Sequence, residues 1–144
     1  MHRNPPVDDI RSLLCKVNTI AVVGFSPEPA RPSHRIAAAM QGCGYTIIPI
    51  RPGLQHALGE PAWPDLRSVP GPIDLVNVFR APEHVMPIID ECIELGLPAV
   101  WLQDGVVNEQ AAARASAAGI VLIMNDCVWR AYRTLGVAAA RSAQ

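Results

Sequence analysis

A length of 144 residues, half of them hydrophobic and 17% charged, suffices for one domain around one buried core. Only 5% of the residues are aromatic, so that core is aliphatic, which suits strands buried on both faces. Twelve basic against 13 acidic side chains, a net charge of −1, exclude the electropositive footprint that nucleic acid or an anionic membrane requires.

In chain order, Val7 to Val17 reads as a short amphipathic helix. The apolar run Thr19-Ile20-Ala21-Val22-Val23, closed by Gly24, reads as a buried strand. Ser33 is expected to cap a helix running to about Gln41, with Ile36, Ala37 and Met40 on one face and Gly42 and Gly44 as stop signals. Tyr45 to Ile50 is a second strand, ended by Pro52. The stretch from Gly53 to Pro72 is rich in Pro and Gly and has no period, so it reads as a loop with at most a short edge strand near Pro61-Ala62-Trp63.

Ile73 to Phe79 is a third strand. Val85, Ile88, Ile89, Cys92 and Ile93 then recur at helical spacing, with Pro87 setting the first turn apart. Ala99 to Leu102 is a fourth strand, and Asn108 to Ala118 an Ala-rich helix capped by Asn108 and ended by Gly119. Ile120 to Met124 is a fifth strand, after which Asn125 or Asp126 is expected to cap a helix towards Leu135. The pattern predicts a single doubly wound α/β domain of the Rossmann-like kind, with a five-stranded, mainly parallel sheet and helices on both faces. Its expected organisation is a helix over 1–17, the nucleotide-binding body over 18–135 and a flexible tail over 136–144. Met1 to Asp9 has no apolar core of a signal peptide, and no stretch is long enough to span a bilayer, so a cytoplasmic location is expected. The four cysteines, Cys15, Cys43, Cys92 and Cys127, are dispersed without CxxC spacing, which reads as reduced small hydrophobes and not a zinc site.

Open parallel sheets bind ligands beyond the carboxyl ends of their strands. The loop after the first strand offers Gly24 for close backbone approach, the hydroxyls of Ser26 and Ser33, the charges of Arg31 and Arg35, and a helix start. Each alone is an ordinary loop or cap residue; together they make an anion site. The loop lacks GxGxxG, which counts against a plain dinucleotide fold, since Gly42-Cys43-Gly44 lies after the helix and is only a turn. At the end of the second strand, where an NAD site places a carboxylate, the chain has Arg51, suited to a phosphorylated ribose. Phe79 and Arg80 stand at the end of the third strand, and Gln103 and Gly105 follow the fourth, at the same end of the sheet.

The segments Val22-Val23-Gly24-Phe25-Ser26, Arg31-Pro32-Ser33, Ile48-Pro49-Ile50-Arg51-Pro52, Val78-Phe79-Arg80 and Val100-Trp101-Leu102-Gln103-Asp104-Gly105 occur in this order. In them the chain resembles the small single-domain CoA-binding proteins related to the nucleotide-binding domain of succinyl-CoA synthetase, from about Asn18 to Cys127. The resemblance implies a Rossmann-like fold that binds coenzyme A through its strand-end loops, with no established reaction. It extends the expected contacts to Phe25 and Pro49. The family commonly has Asn in place of Arg51, and is more charged around the final helix. Cys127 falls where the family often has cysteine.

The function expected is binding of CoA or a short acyl-CoA without catalysis, as a sensor, a carrier or an accessory module of an acyl-CoA enzyme. An NADP-binding oxidoreductase or redox sensor on the same fold is the alternative that Arg51 also permits. No Ser-His-Asp order or carboxylate pair can be assembled. His84 and Cys127 are the two groups that chemistry on an acyl-CoA could use, and a Cys127 thiol facing the pocket could form a mixed disulfide with CoA.

Overall fold

Every second residue of a strand faces the same side of its sheet, and here both sides are apolar. Ile20 and Val22 of β1 (Thr19–Val23) enter one core layer and Ala21 the other. In β5 (Leu75–Val78), Leu75 enters the first layer and Val76 and Val78 the second. In β6 (Ala99–Leu102), Ala99 and Trp101 oppose Val100 and Leu102 in the same way. With β2 (Thr46–Ile50) and β7 (Val121–Ile123), these strands form an all-parallel five-stranded sheet of order β2-β1-β5-β6-β7. This is a Rossmann-like α/β fold in a computed structural model that describes residues 1–144.

Helices α1 (Val7–Lys16), α2 (Pro32–Gly42), α5 (Val128–Thr134) and α6 (Val137–Ser142) supply the layer around Leu14, Met40 and Tyr132. Helices α3 (Val85–Glu94) and α4 (Glu109–Ala117) supply the layer around Ile89 and Ala115. The strand order reverses between β1 and β5, and the crossovers leave to opposite faces there, opening a crevice at the carboxyl ends of those strands.

Several element ends differ from the expectation. Arg31, not Ser33, occupies the N-cap of α2, because Pro32 takes the first helical position, where its missing N–H costs nothing. Neither Asn125 nor Asp126 caps α5; that place is held by Cys127. Asn125 instead adopts φ 59°, and its side chain accepts from the Gly105 N–H at 2.8 Å, while Asp126 joins an ion-pair network. Residues 137–142, expected in a flexible tail, are the helix α6, held by the Arg141 guanidinium, which donates to the Leu14 and Val17 carbonyls that end α1.

Other expectations are met. A short 3-10 turn, Pro82–His84, precedes α3 and sets Pro87 in its first turn. Asn108 caps α4, its Oδ1 accepting from the Ala111 N–H at 3.0 Å. The long loop holds more than the one short edge strand expected: it carries a two-stranded hairpin, β3 (His56–Ala57) and β4 (Glu60–Pro61), and then Trp63 pairs with the outer edge of β2, its N–H donating to Pro49 O and its carbonyl accepting from the Arg51 N–H. Pro49 is tolerated within β2 because that strand borders the main sheet. No helix is long and apolar enough to cross a membrane.

Candidate nucleotide-binding cleft

At the carboxyl ends of the strands an open cleft of about 1020 Å³ is lined from every one of the five strand-end loops. Gly24 at its floor has φ 81° and lies under the loop after β5; a Cβ there would overlap the Phe79 carbonyl oxygen and lie 3.0 Å from the Arg80 side chain. Only glycine lets the two chains pass this closely. The β1–α2 loop then folds on itself. The Ser26 N–H donates to Ser33 Oγ at 2.9 Å, and Ser26 Oγ accepts from the Glu28 N–H at 3.2 Å. The hydroxyl expected to cap α2 therefore shapes the loop in front of it.

Arg31, Arg35, Arg51 and Arg133 line this cleft and none forms an ion pair with a carboxylate. Arg35 Nη1 donates to the Ala30 carbonyl at 3.2 Å and Arg51 Nη1 to the Phe25 carbonyl at 3.3 Å. Arg133 lies 5.0 Å from the Trp129 ring centre, in cation–π range. The acids of the cleft are Glu28 and Asp104. Asp104 is engaged at both oxygens by Arg130, at 2.8 and 2.9 Å, and that guanidinium holds its carboxyl below the usual range. A chain with net charge −1 thus carries a locally cationic crevice, which focuses anions.

The cleft gathers Gly24, Ser26, Arg31, Ser33, Arg35, Arg51, Phe79 and Gln103 from the residues singled out in the sequence. Phe25 is fully buried beneath it, 5.4 Å from the His34 ring, and belongs to the core. Pro49 lies in β2 with its carbonyl bonded to Trp63. Arg80 and His84 line a separate groove of about 640 Å³ on the other side of the loop, which shares Gly24 and Arg51 with the main cleft. Gly105 is in the turn behind Asp104, its N–H held by Asn125. Sequence reading did not single out Trp129 and Arg133, whose spacing of four on one helix is the available signal.

The sequence profile of a family described as CoA binding domain matches residues 18–133. The chain belongs to the CoA-binding domain family. This CoA-binding domain is 41% identical over 126 residues to the Bacillus subtilis (strain 168) protein YneT, covering 88% of this chain and 93% of that one. A structure of a hypothetical protein from Pyrococcus horikoshii OT3 superimposes with a TM-score of 0.87 at 29% identity, over 94% of this chain and 99% of the other. The domain is also 20% identical over 119 residues to the ADP-forming acetate–CoA ligase I of Archaeoglobus fulgidus; that is 76% of this chain but 17% of the ligase.

Proposed function

We propose that the cleft holds coenzyme A or a short acyl-CoA and that the chain binds it without transforming it. The observation that carries this reading is the convergence of Arg31, Arg35, Arg51 and Arg133, all without carboxylate partners, on the crevice where the strand order reverses. The pyrophosphate takes the start of α2 beside Arg31 and Arg35, where helix amides and guanidinium groups both favour anions. Arg51, at the end of β2, takes the 3′-phosphate of the ribose. The pantetheine arm runs past Phe79 towards Gln103. The lining supports binding without turnover of the acyl group: it includes no histidine to serve as a general base, and its Asp104 is paired with Arg130. A sensor, a carrier or an accessory module of an acyl-CoA enzyme would each use such a site.

Calorimetric titration with CoA, dephospho-CoA, NADP and NAD, after removal of any copurified ligand, tests it. CoA binds, and loss of the 3′-phosphate weakens binding by about 1.4–2.8 kcal/mol, roughly 10- to 100-fold. Arg51→Ala abolishes the difference between CoA and dephospho-CoA. Binding of NADP in the absence of CoA binding would replace this reading with the oxidoreductase one, since Arg51 suits either phosphate.

A further inference from the structure

Gln103 is only 4% exposed, yet it lines the cleft. Its Nε2 donates to Asn77 Oδ1 at 2.5 Å, and its Oε1 receives no hydrogen bond from the protein. That oxygen is not sealed off, because no buried side-chain polar atom lacks a partner. A nearly buried amide is thus presented as an acceptor towards the ligand space.

One strand further across the sheet stands Cys127, a free thiol that also lines the cleft and is 8% exposed. The loop carrying it is fixed across the end of β6. Trp101 Nε1 donates to the Asp126 carbonyl at 2.8 Å, and the Asp126 N–H to the Leu102 carbonyl at 3.3 Å. Cys127, the next residue, therefore follows a pinned segment at the end of β6 and lines the same cleft as Gln103.

The dimensions of the sheet match those of the ligand. From β1, whose loop takes the pyrophosphate, to β7, which leads into Cys127, there are three strand spacings, or about 14 Å. A pantetheine arm has about a dozen bonds between its phosphate oxygen and its sulfur, which extend to about 14 Å at chain-like bond lengths. Its terminal amide N–H lies two carbons short of the sulfur, so an acceptor just past β6 and a thiol in the loop after β7 fit the final segment.

We infer that Cys127 is a site of covalent capture of the CoA thiol as a mixed disulfide. This rests on the reading of the cleft as a CoA site. The reaction is thiol–disulfide exchange with oxidised CoA, its symmetrical or mixed low-molecular-weight disulfide. The Cys127 thiolate attacks the CoA sulfur. The bond between Cys127 Sγ and that sulfur forms, the original S–S bond breaks, and the other half leaves as a thiolate that takes up a proton. Gln103 Oε1 receives the terminal pantetheine amide and aligns the disulfide. The oxidant is the incoming disulfide, and a reducing thiol reverses the step.

The test incubates the reduced chain with CoA disulfide at about pH 8. Intact mass and peptide mapping then follow the adducts, with hydroxyethyl disulfide in parallel and reduced CoA as competitor. Cys15 and Cys43, both partly exposed, serve as internal references. The expected result is one CoA adduct at Cys127, formed at least about tenfold faster than at either reference because the cleft raises the local disulfide concentration. Excess reduced CoA slows it, and hydroxyethyl disulfide shows no such preference. Adducts favouring Cys15 or Cys43, or equal Cys127 rates with both disulfides, overturn the inference. Calorimetry with reduced CoA separates the two claims: heat of binding without a Cys127 adduct sinks only this one, while no heat sinks the CoA reading itself.

Discussion

Gly24 shows how a single residue serves both fold and cleft. Its φ of 81° and the Phe79 carbonyl above it leave no room for a side chain. Gly24→Ala is expected to cost about 2 kcal/mol or more, combining the left-handed backbone penalty with displacement of the β5 loop. Urea denaturation reads this as a lower midpoint with an unchanged slope, and an unaltered midpoint would contradict the argument. At this scale the sequence was partly legible. Gly24 stood out because it closes an apolar run, and the arginines because they cluster at strand ends. Phe25, which the resemblance put among the expected contacts, turns its ring down into the layer formed by Ile20 and Val22. Arg80 stands apart from the main cleft, in the adjoining groove. It follows Phe79 directly, and consecutive residues leaving a strand point to opposite faces, so only one of them reaches the main cleft.

Among the elements, α5 is tied to the loop after β6 by charge. Arg130 bridges Asp104 and Asp126, the latter at 2.8 Å and one helical turn behind it. The Asp104 side chain is 56% exposed, so solvent screens the pair and its contribution stays below about 1 kcal/mol. The folded-state value of Asp104 is depressed below 3.8, so its stabilisation is present above that value and fades as pH falls beneath it. Arg130→Ala is expected to lower the urea midpoint slightly at neutral pH, and by less once pH drops below 3.8. A difference between parent and variant that grows on acidification would exclude this account. A second prediction concerns α4. Asn108 caps the helix with Oδ1 and also donates from Nδ2 to the Pro82 carbonyl at 3.0 Å. Asn108→Ala should therefore cost at least the usual cap contribution of about 1 kcal/mol in thermal or urea unfolding. That cap was readable from local sequence. The start of α5 was not, because the side chains of Asn125 and Asp126 are drawn to Gly105 and Arg130, partners about 20 and 4 positions away.

Across the whole molecule the two chain ends meet. Tyr45, which begins the turn into β2, is 2% exposed and donates to the Leu14 carbonyl at 2.5 Å. Arg141 of α6 lies 4.1 Å from its ring and bonds the carbonyls ending α1. Burial pushes the Tyr45 phenol up to about 12, although Arg141 pulls the other way. A raised phenol favours the folded state below its unfolded value of 10.0, and that advantage is lost between 10.0 and about 12. Tyrosinate absorbance is expected to lag behind that of a free phenol in the folded protein and to rise with alkaline unfolding; ionisation at the ordinary value in a still-folded chain would refute it. Arg141→Ala, which strips charged hydrogen bonds from α1, should cost about 1–2 kcal/mol by urea denaturation. The alternation of apolar runs with helical periods was enough by itself to determine a doubly wound parallel sheet, because strands buried on both faces and amphipathic crossovers leave no other economical layer arrangement. It likewise marked the strand ends where a ligand would sit. Only the tertiary structure decided that residues 137–142 form a helix, that Trp129, Arg133 and Cys127 join the cleft, and that Arg80 and His84 leave it. These are choices between the two faces of one sheet and between partners distant in sequence, and they depend on which side of the sheet each crossover takes.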